Sequence, residues 1–281
     1  MSIHVTPEHL RQAEQLVAEA RANGGLAPVD LDRFWADNAA AHDRLWDAAS
    51  PQVPLGIGMN PECAFTELDI AEDWYRITHD PAWRAEVCKA YNDATEPLVG
   101  KRLLNESVPD PDDQYPPAGG LHTVFEAENV WRGQSYWLEQ SADSAEQLKA
   151  LLDRVDARDI RETILPDGWD EAKERLMPRG ITPRAYRGQR GPTTFAASIY
   201  GPENLIFLIL DNPALAARFR DTILRVMIEI AEILDAEAGR TPATAPHGWF
   251  WCDDNCCLLN KEMYDFFSKP ILQGIFNRFS P

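Results

Sequence analysis

Apolar residues recur at three- and four-residue spacing in several long stretches, and short apolar runs lie between them. The first amphipathic stretch has Thr6 as a cap and Pro7 in its first turn, where a missing amide costs nothing. It places Leu10, Ala13, Leu16 and Val17 on one face and stops at Asn23-Gly24-Gly25. Further helical spacing covers Asp30 to Trp46, and then Asp69 to Val99 with Trp74, Tyr75, Trp83, Val87 and Tyr91 as an aromatic face. Ser144 with Gln147 forms a capping box that opens a helix through Leu148, Leu151, Leu152 and Val155. Asp211-Asn212-Pro213 opens the longest helix, which runs to about Ala238. Leu259 and Tyr264 bracket Asn260 as a staple around the cap of a last helix that ends near Phe279.

Between these helices the pattern predicts five strands. They are Pro51–Met59, Arg102–Glu106, His122–Trp131, Thr193–Ile199 and His247–Cys252. The proline-rich stretch Val108 to Gly120 reads as a loop, and Asp156 to Arg190 as a polar connection. Strands separated by helices imply crossover connections and a mostly parallel sheet, hence an α/β fold.

Composition adds limits. The chain of 281 residues carries 27 basic and 45 acidic side chains, a net charge of −18. Such a surface repels phosphate backbones and anionic lipid, so neither nucleic acid nor membrane is an expected partner. The densest basic stretch holds Arg179, Arg184, Arg187 and Arg190. It reads as a solvated connection or as a clamp for an anionic small ligand, because guanidinium matches carboxylate geometry. The amino-terminal residues show no signal-peptide pattern, and no run approaches the ~18 apolar residues of a membrane helix. Five unevenly spaced cysteines suit reduced thiols, and the expected location is the cytoplasm.

In parallel α/β folds ligands sit at the carboxyl ends of the strands. That rule selects Asn60 after the first strand, Asn105 and Glu106 after the second, and Glu126 and Glu128 after the third. Ser198 and Tyr200 follow from the fourth, and Asp253, Asp254 and Asn255 from the fifth. Asp253 and Asp254 with Glu126 and Glu128 are the catalytic candidates, able to hold a substrate or carry a proton. The other residues are candidates for substrate binding. His247, Cys252, Cys256 and Cys257 invite a zinc reading. However, strand alternation turns the first two to opposite faces, and the last two are adjacent, so no metal site is expected in the chain.

Two blocks carry a resemblance. Gly191-Pro-Thr-Thr-Phe-Ala-Ala-Ser-Ile-Tyr-Gly201 and the stretch from Asp253-Asp-Asn-Cys-Cys to Pro270 resemble the uroporphyrinogen decarboxylase superfamily. The superfamily's strand-four pattern is Gly-x-Pro-x-Thr, and its strand-five pattern is Asp-Asp before a helix with a terminal proline. The resemblance implies a TIM (β/α)8 barrel, here incomplete with about five of eight strand-helix units. The barrel would span 51–281, behind a helical extension over 1–50.

One branch of the superfamily decarboxylates a tetrapyrrole with the help of arginines. The other moves methyl groups between corrinoids, thiols and methylated donors, often with zinc. The arginine-rich stretch of the first branch is replaced here by Gly58-Met-Asn-Pro-Glu-Cys63, its tyrosine by Ser198 and its serine by Asp254. The chain therefore looks more like the methyltransferase branch. The expectation is methyl transfer from a small methylated substrate to or from a corrinoid or thiol, with tetrapyrrole decarboxylation as the alternative. A non-catalytic, truncated barrel serving for binding or dimerisation is the third reading. No cofactor is expected within the chain itself; a corrinoid or zinc would belong to a longer form. Expected partners are the small substrate, a corrinoid protein and a second copy of the chain.

Overall fold

The computed structural model describes residues 5–25, 29–45, 47, 49–50, 52–56 and 58–280. The chain divides into two compact units, Met1–Val108 and Pro109–Pro281. The first unit is helical: α1 (Pro7–Ala22), α2 (Leu31–Asp43), α3 (Cys63–Glu67), α4 (Trp74–His79) and α5 (Pro81–Val99). Thr6 caps α1 as expected, accepting from the His9 amide, but Leu10, Leu16 and Val17 stay exposed. Asp80 divides the expected helix over 69–99, ending α4 and capping α5 through the Trp83 amide at 2.9 Å. The core of this unit gathers Phe65, Ile77, Val87, Cys88 and Tyr91 beneath Trp74 and Trp83.

Neither strand expected in this unit forms among its described residues. Pro51 and Ile57 of the first lie outside the described residues. The rest lacks the Pro54 amide, and the buried Asn38 side chain takes up the Leu55 amide (2.8 Å) and carbonyl (3.2 Å). In Arg102–Glu106 the buried Asn92 does the same. It accepts from the Leu103 and Leu104 amides and donates to the Leu104 carbonyl at 2.8 Å. A side-chain amide thus fills the hydrogen bonds that a neighbouring strand would make.

The second unit contains α6 (Leu121–Val124), β1 (Asn129–Arg132), β2 (Ser135–Leu138), α7 (Ala145–Asp156), α8 (Ile160–Ile164) and α9 (Trp169–Leu176). These are followed by β3 (Gly188–Arg190), α10 (Pro192–Tyr200), α11 (Pro202–Asp211), α12 (Pro213–Glu237), β4 (Phe250–Cys252) and α13 (Lys261–Phe279). Its core surrounds α12, whose Phe219, Ile223, Val226 and Ile230 are fully buried. Phe219 meets Phe125 and Phe267, and Phe125 meets Phe195 edge-on at 5.3 Å. Ser144, Asn212 and Asn260 cap α7, α12 and α13 as the sequence predicts.

The strand expectations shift. Thr193–Ile199 is not a strand but most of α10, buried on nearly every side. An apolar run of that length suits either structure, and the Pro192 start favours the helix. The strand lies just before it: β3 pairs in parallel with β4, Arg190 opposite Cys252. Only Phe250–Cys252 of the expected His247–Cys252 strand is paired. His122–Trp131 opens as helix α6 rather than strand. Its last residues enter β1, which pairs antiparallel with β2 across a turn where Gly133 takes φ +62°. No single helix among the described residues is long and apolar enough to cross a membrane. The α10–α11 pair is apolar enough together but bends by 101°.

Buried Glu237 locks the end of α12 to the layer beneath it. It accepts from Lys173 (2.8 Å) and Trp169 (3.1 Å) of α9 and from Arg161 of α8 (2.9 Å). Burial pushes its carboxyl up, but bonds from Lys173, Trp169 and Arg161 outweigh this and hold it below the ordinary carboxylate range. A depressed folded-state value adds stability above the unfolded-state pKa and loses it as pH falls through the folded-state one. Glu237→Gln should therefore cost about 2 kcal/mol at pH 7 in urea unfolding. The gap from the parent protein should narrow as the pH drops below the carboxylate range.

Candidate functional site

Helix α10 begins without a side-chain cap of its own, because Gly191 precedes it and Pro192 occupies its first turn. Its exposed amides are met from the next strand in the sheet. Asp253, one residue past β4, accepts from the Thr194 amide at 2.8 Å. The Thr194 hydroxyl donates to Asp254 at 3.0 Å and accepts from the Asn255 amide at 3.1 Å. The Gly191 amide continues the ladder onto the Cys252 carbonyl at 2.7 Å. Behind this knot, the buried hydroxyls of Thr193 and Ser268 bond at 2.6 Å. The second oxygen of Asp253 is buried and has no partner among the described residues.

Cys256 and Tyr264 lie near this carboxylate. Burial first, and then the charge of Asp253, push the Cys256 thiol and the Tyr264 hydroxyl above their ordinary values. Both side chains are therefore protonated at neutral pH. No three His, Cys, Asp or Glu side chains converge among the described residues in a way that could hold a metal ion.

A cleft of about 680 Å³ opens beside β3. Tyr115, Trp169 and Pro116 form apolar parts of its wall, while His122, Arg184, Tyr186 and Gln189 supply its polar groups. Burial, and secondarily the charge of Arg190, lowers the pKa of His122 below its ordinary 6.5. The ring is therefore a neutral base at pH 7. Burial pushes the Tyr186 hydroxyl well above the usual phenol range. That hydroxyl lies near the Leu121 amide without a well-formed hydrogen bond.

Of the residues selected from the sequence, Asp253, Asp254 and Asn255 are brought together on Thr194. Four others in this unit are not part of that corner. Glu126 has φ +58° and is clamped on the surface by Arg154 (2.7 Å) and by Arg158, which hold its carboxyl below the usual range. Glu128 is exposed, and its carbonyl starts the β1–β2 hairpin by accepting from the Glu139 amide. Ser198 donates to the Thr194 carbonyl one turn back in α10, and Tyr200 is packed in the core. A strand would have carried these two to its end; the helix turns them inward. In the first unit, Asn60 is exposed and its carbonyl accepts from the Cys63 amide at the start of α3. Asn105 makes a local turn to Ser107, and Glu106 is bound by Asn92 (2.7 Å) and Arg102 (2.6 Å).

Sequence reasoning passed over Thr194, His122 and Tyr186 as site residues. The adjacent Thr193-Thr194 after Gly-Pro was the one local signal, since paired hydroxyls at a helix start serve to bind a neighbour. The basic stretch also resolves: Arg179 pairs with Asp113, and Arg187 pairs with Asp235, whereas Arg184 reaches the cleft with no ion pair among the described residues. Comparison with known protein families, with curated proteins and with solved structures finds no match to the chain.

At Gly191 the backbone is one that any residue adopts, but an added Cβ would stand 2.0 Å from the Asp253 Cβ. Gly191→Ala should lower stability by about 2–3 kcal/mol in chemical denaturation, from overpacking. Adding Asp253→Gly, which removes that Cβ, should make the pair less destabilised than the sum of its single changes. Asp253→Ala retains the clash and should give no such relief.

Proposed function

We propose that the chain is a uroporphyrinogen decarboxylase-like protein that binds a small methylated substrate beside the β3–β4 pair and takes part in methyl transfer. A single observation carries this reading. The two sequence blocks behind the resemblance meet at Thr194, whose amide donates to Asp253, 59 residues on. Polar groups held at the carboxyl ends of adjacent parallel strands suit a ligand site in such folds. A (β/α)8 barrel remains the architecture proposed with it, and the β3–α10–α11–α12–β4 crossover supports that assignment as one of its units.

In this reading the methyl group leaves the heteroatom of its donor for a corrinoid or thiol supplied from outside the chain. The donor heteroatom keeps the bonding electron pair and takes a proton. His122, neutral and half-buried, relays that proton from solvent, one ring nitrogen giving up a proton as the other takes one up. Zinc is assigned no step, because the described residues do not gather a ligand set. Asp253 holds the corner in shape, and the exposed Asp254 presents carboxylate to the solvent side.

The test is incubation with cob(I)alamin and a panel of methylated amines, thiols and methoxylated compounds, followed by visible spectroscopy. The expected outcome is growth of the methylcobalamin spectrum with at least one donor, reduced at least tenfold by His122→Gln. No methyl transfer with any donor, or release of carbon dioxide from uroporphyrinogen instead, would overturn the reading.

A further inference from the structure

The cleft beside β3 differs in charge from the rest of the molecule. The chain has 45 acidic against 27 basic side chains, yet no aspartate or glutamate is among the described residues lining the cleft. Elsewhere the arginines are generally consumed: Arg102 by Asp93, Glu96 and Glu106, Arg154 and Arg158 by Glu126, and Arg218 and Arg225 by Asp156. Arg184 is exposed on the cleft wall, with neither an ion pair nor a hydrogen bond among the described residues. Arg190 has no carboxylate partner among them either; its guanidinium donates only to the Tyr136 carbonyl, at 3.2 Å. In a protein so rich in carboxylates, a cation left unpaired in a carboxylate-free cleft is positioned for an anion from outside.

The other polar side chains of the cleft carry no charge. Tyr186 lines the cleft, with its hydroxyl buried beneath the wall. The His122 ring makes no hydrogen bond among the described residues and is uncharged at neutral pH. Between them, Tyr115 and Trp169 pack with ring centres 5.1 Å apart and offer an apolar surface to the body of a ligand. One unpaired cation on the wall, neutral donors and an aromatic surface together favour a single negative charge over a multiply charged phosphate.

We propose that the cleft binds a small organic carboxylate, its carboxylate on Arg184 and its apolar body against Tyr115 and Trp169. This inference rests on the reading of this face as a small-molecule site and names the class of molecule that the site takes. It does not depend on the reaction.

Benzoate and benzamide share a shape and differ in charge, so titration calorimetry with each at pH 7, with no methyl donor or corrinoid present, tests the proposal. Benzoate should bind at least tenfold more tightly than benzamide. Arg184→Gln should weaken benzoate about 10- to 100-fold, the range for a charge-assisted hydrogen bond, and leave benzamide unchanged. Equal binding of the two probes, no binding of benzoate at 10 mM (roughly the weakest affinity such a site would have), or unchanged benzoate affinity in Arg184→Gln would overturn it. Failure of methyl transfer with benzoate binding intact would remove the reaction and leave the site. Methyl transfer without carboxylate preference would do the reverse.

Discussion

A helix that starts on glycine and proline has no cap of its own, and in this chain the missing acceptor comes from the far end of a crossover. Asp253 supplies it to α10 from just past β4. The exchange is possible only because Gly191 has no side chain, since a Cβ there would overlap that of Asp253. Several features follow from this close approach. It fixes the parallel register of β3 and β4, aligns the start of α10 with the start of the Asp254–Leu258 turn, and brings Thr193 against Ser268 of α13. Helices α11 and α12 are then suspended between two strand ends that are pinned together. The carboxylate is therefore structural through one oxygen, while its other oxygen remains unpartnered.

Charge is distributed with the same economy. Most of the acidic excess lies on the surface or is bound by arginines, as at Glu126 and Asp156. Where a carboxylate is buried, as at Glu237, three donors surround it. Among the described residues the cleft beside β3 has no acidic side chain in its lining, and there the neutral His122 and Arg184, without an ion pair among them, line the open space. Burial and the nearby Arg190 act on His122 in the same direction, so the ring stays uncharged without a hydrogen bond to hold it.

The features legible in the sequence were those whose partners lie three or four residues away. The caps at Thr6, Ser144, Asn212 and Asn260 fall into this class, because each side chain closes on an amide in its own first turn. Of the last parallel pair only the β4 half was legible, because β3 lies in the stretch read as a polar connection and the strand expected at Thr193 is α10. Long-range substitutions for a sheet were not legible. Asn38 and Asn92 bind extended segments 17 and 12 residues away with a single side-chain amide, and nothing in the local pattern marks them. The same blindness turned α10 into an expected strand, since its cap is 59 residues off. Ser198 and Tyr200 were misplaced as a consequence. The basic stretch from Arg179 to Arg190 was half legible. Composition identified the guanidinium groups, but only the structure separates Arg187, held by Asp235, from the unpaired Arg184.

The account depends most on the bond between the Asp253 carboxylate and the Thr194 amide, and amide hydrogen exchange in the native protein reads it directly. The Thr194 amide should exchange as slowly as those of Phe219 and Val226 in the core. In Asp253→Ala it should accelerate about tenfold relative to them, the weight of one helix cap. An amide at Thr194 that exchanges rapidly in the parent protein, or at the same relative rate in both, would contradict the account.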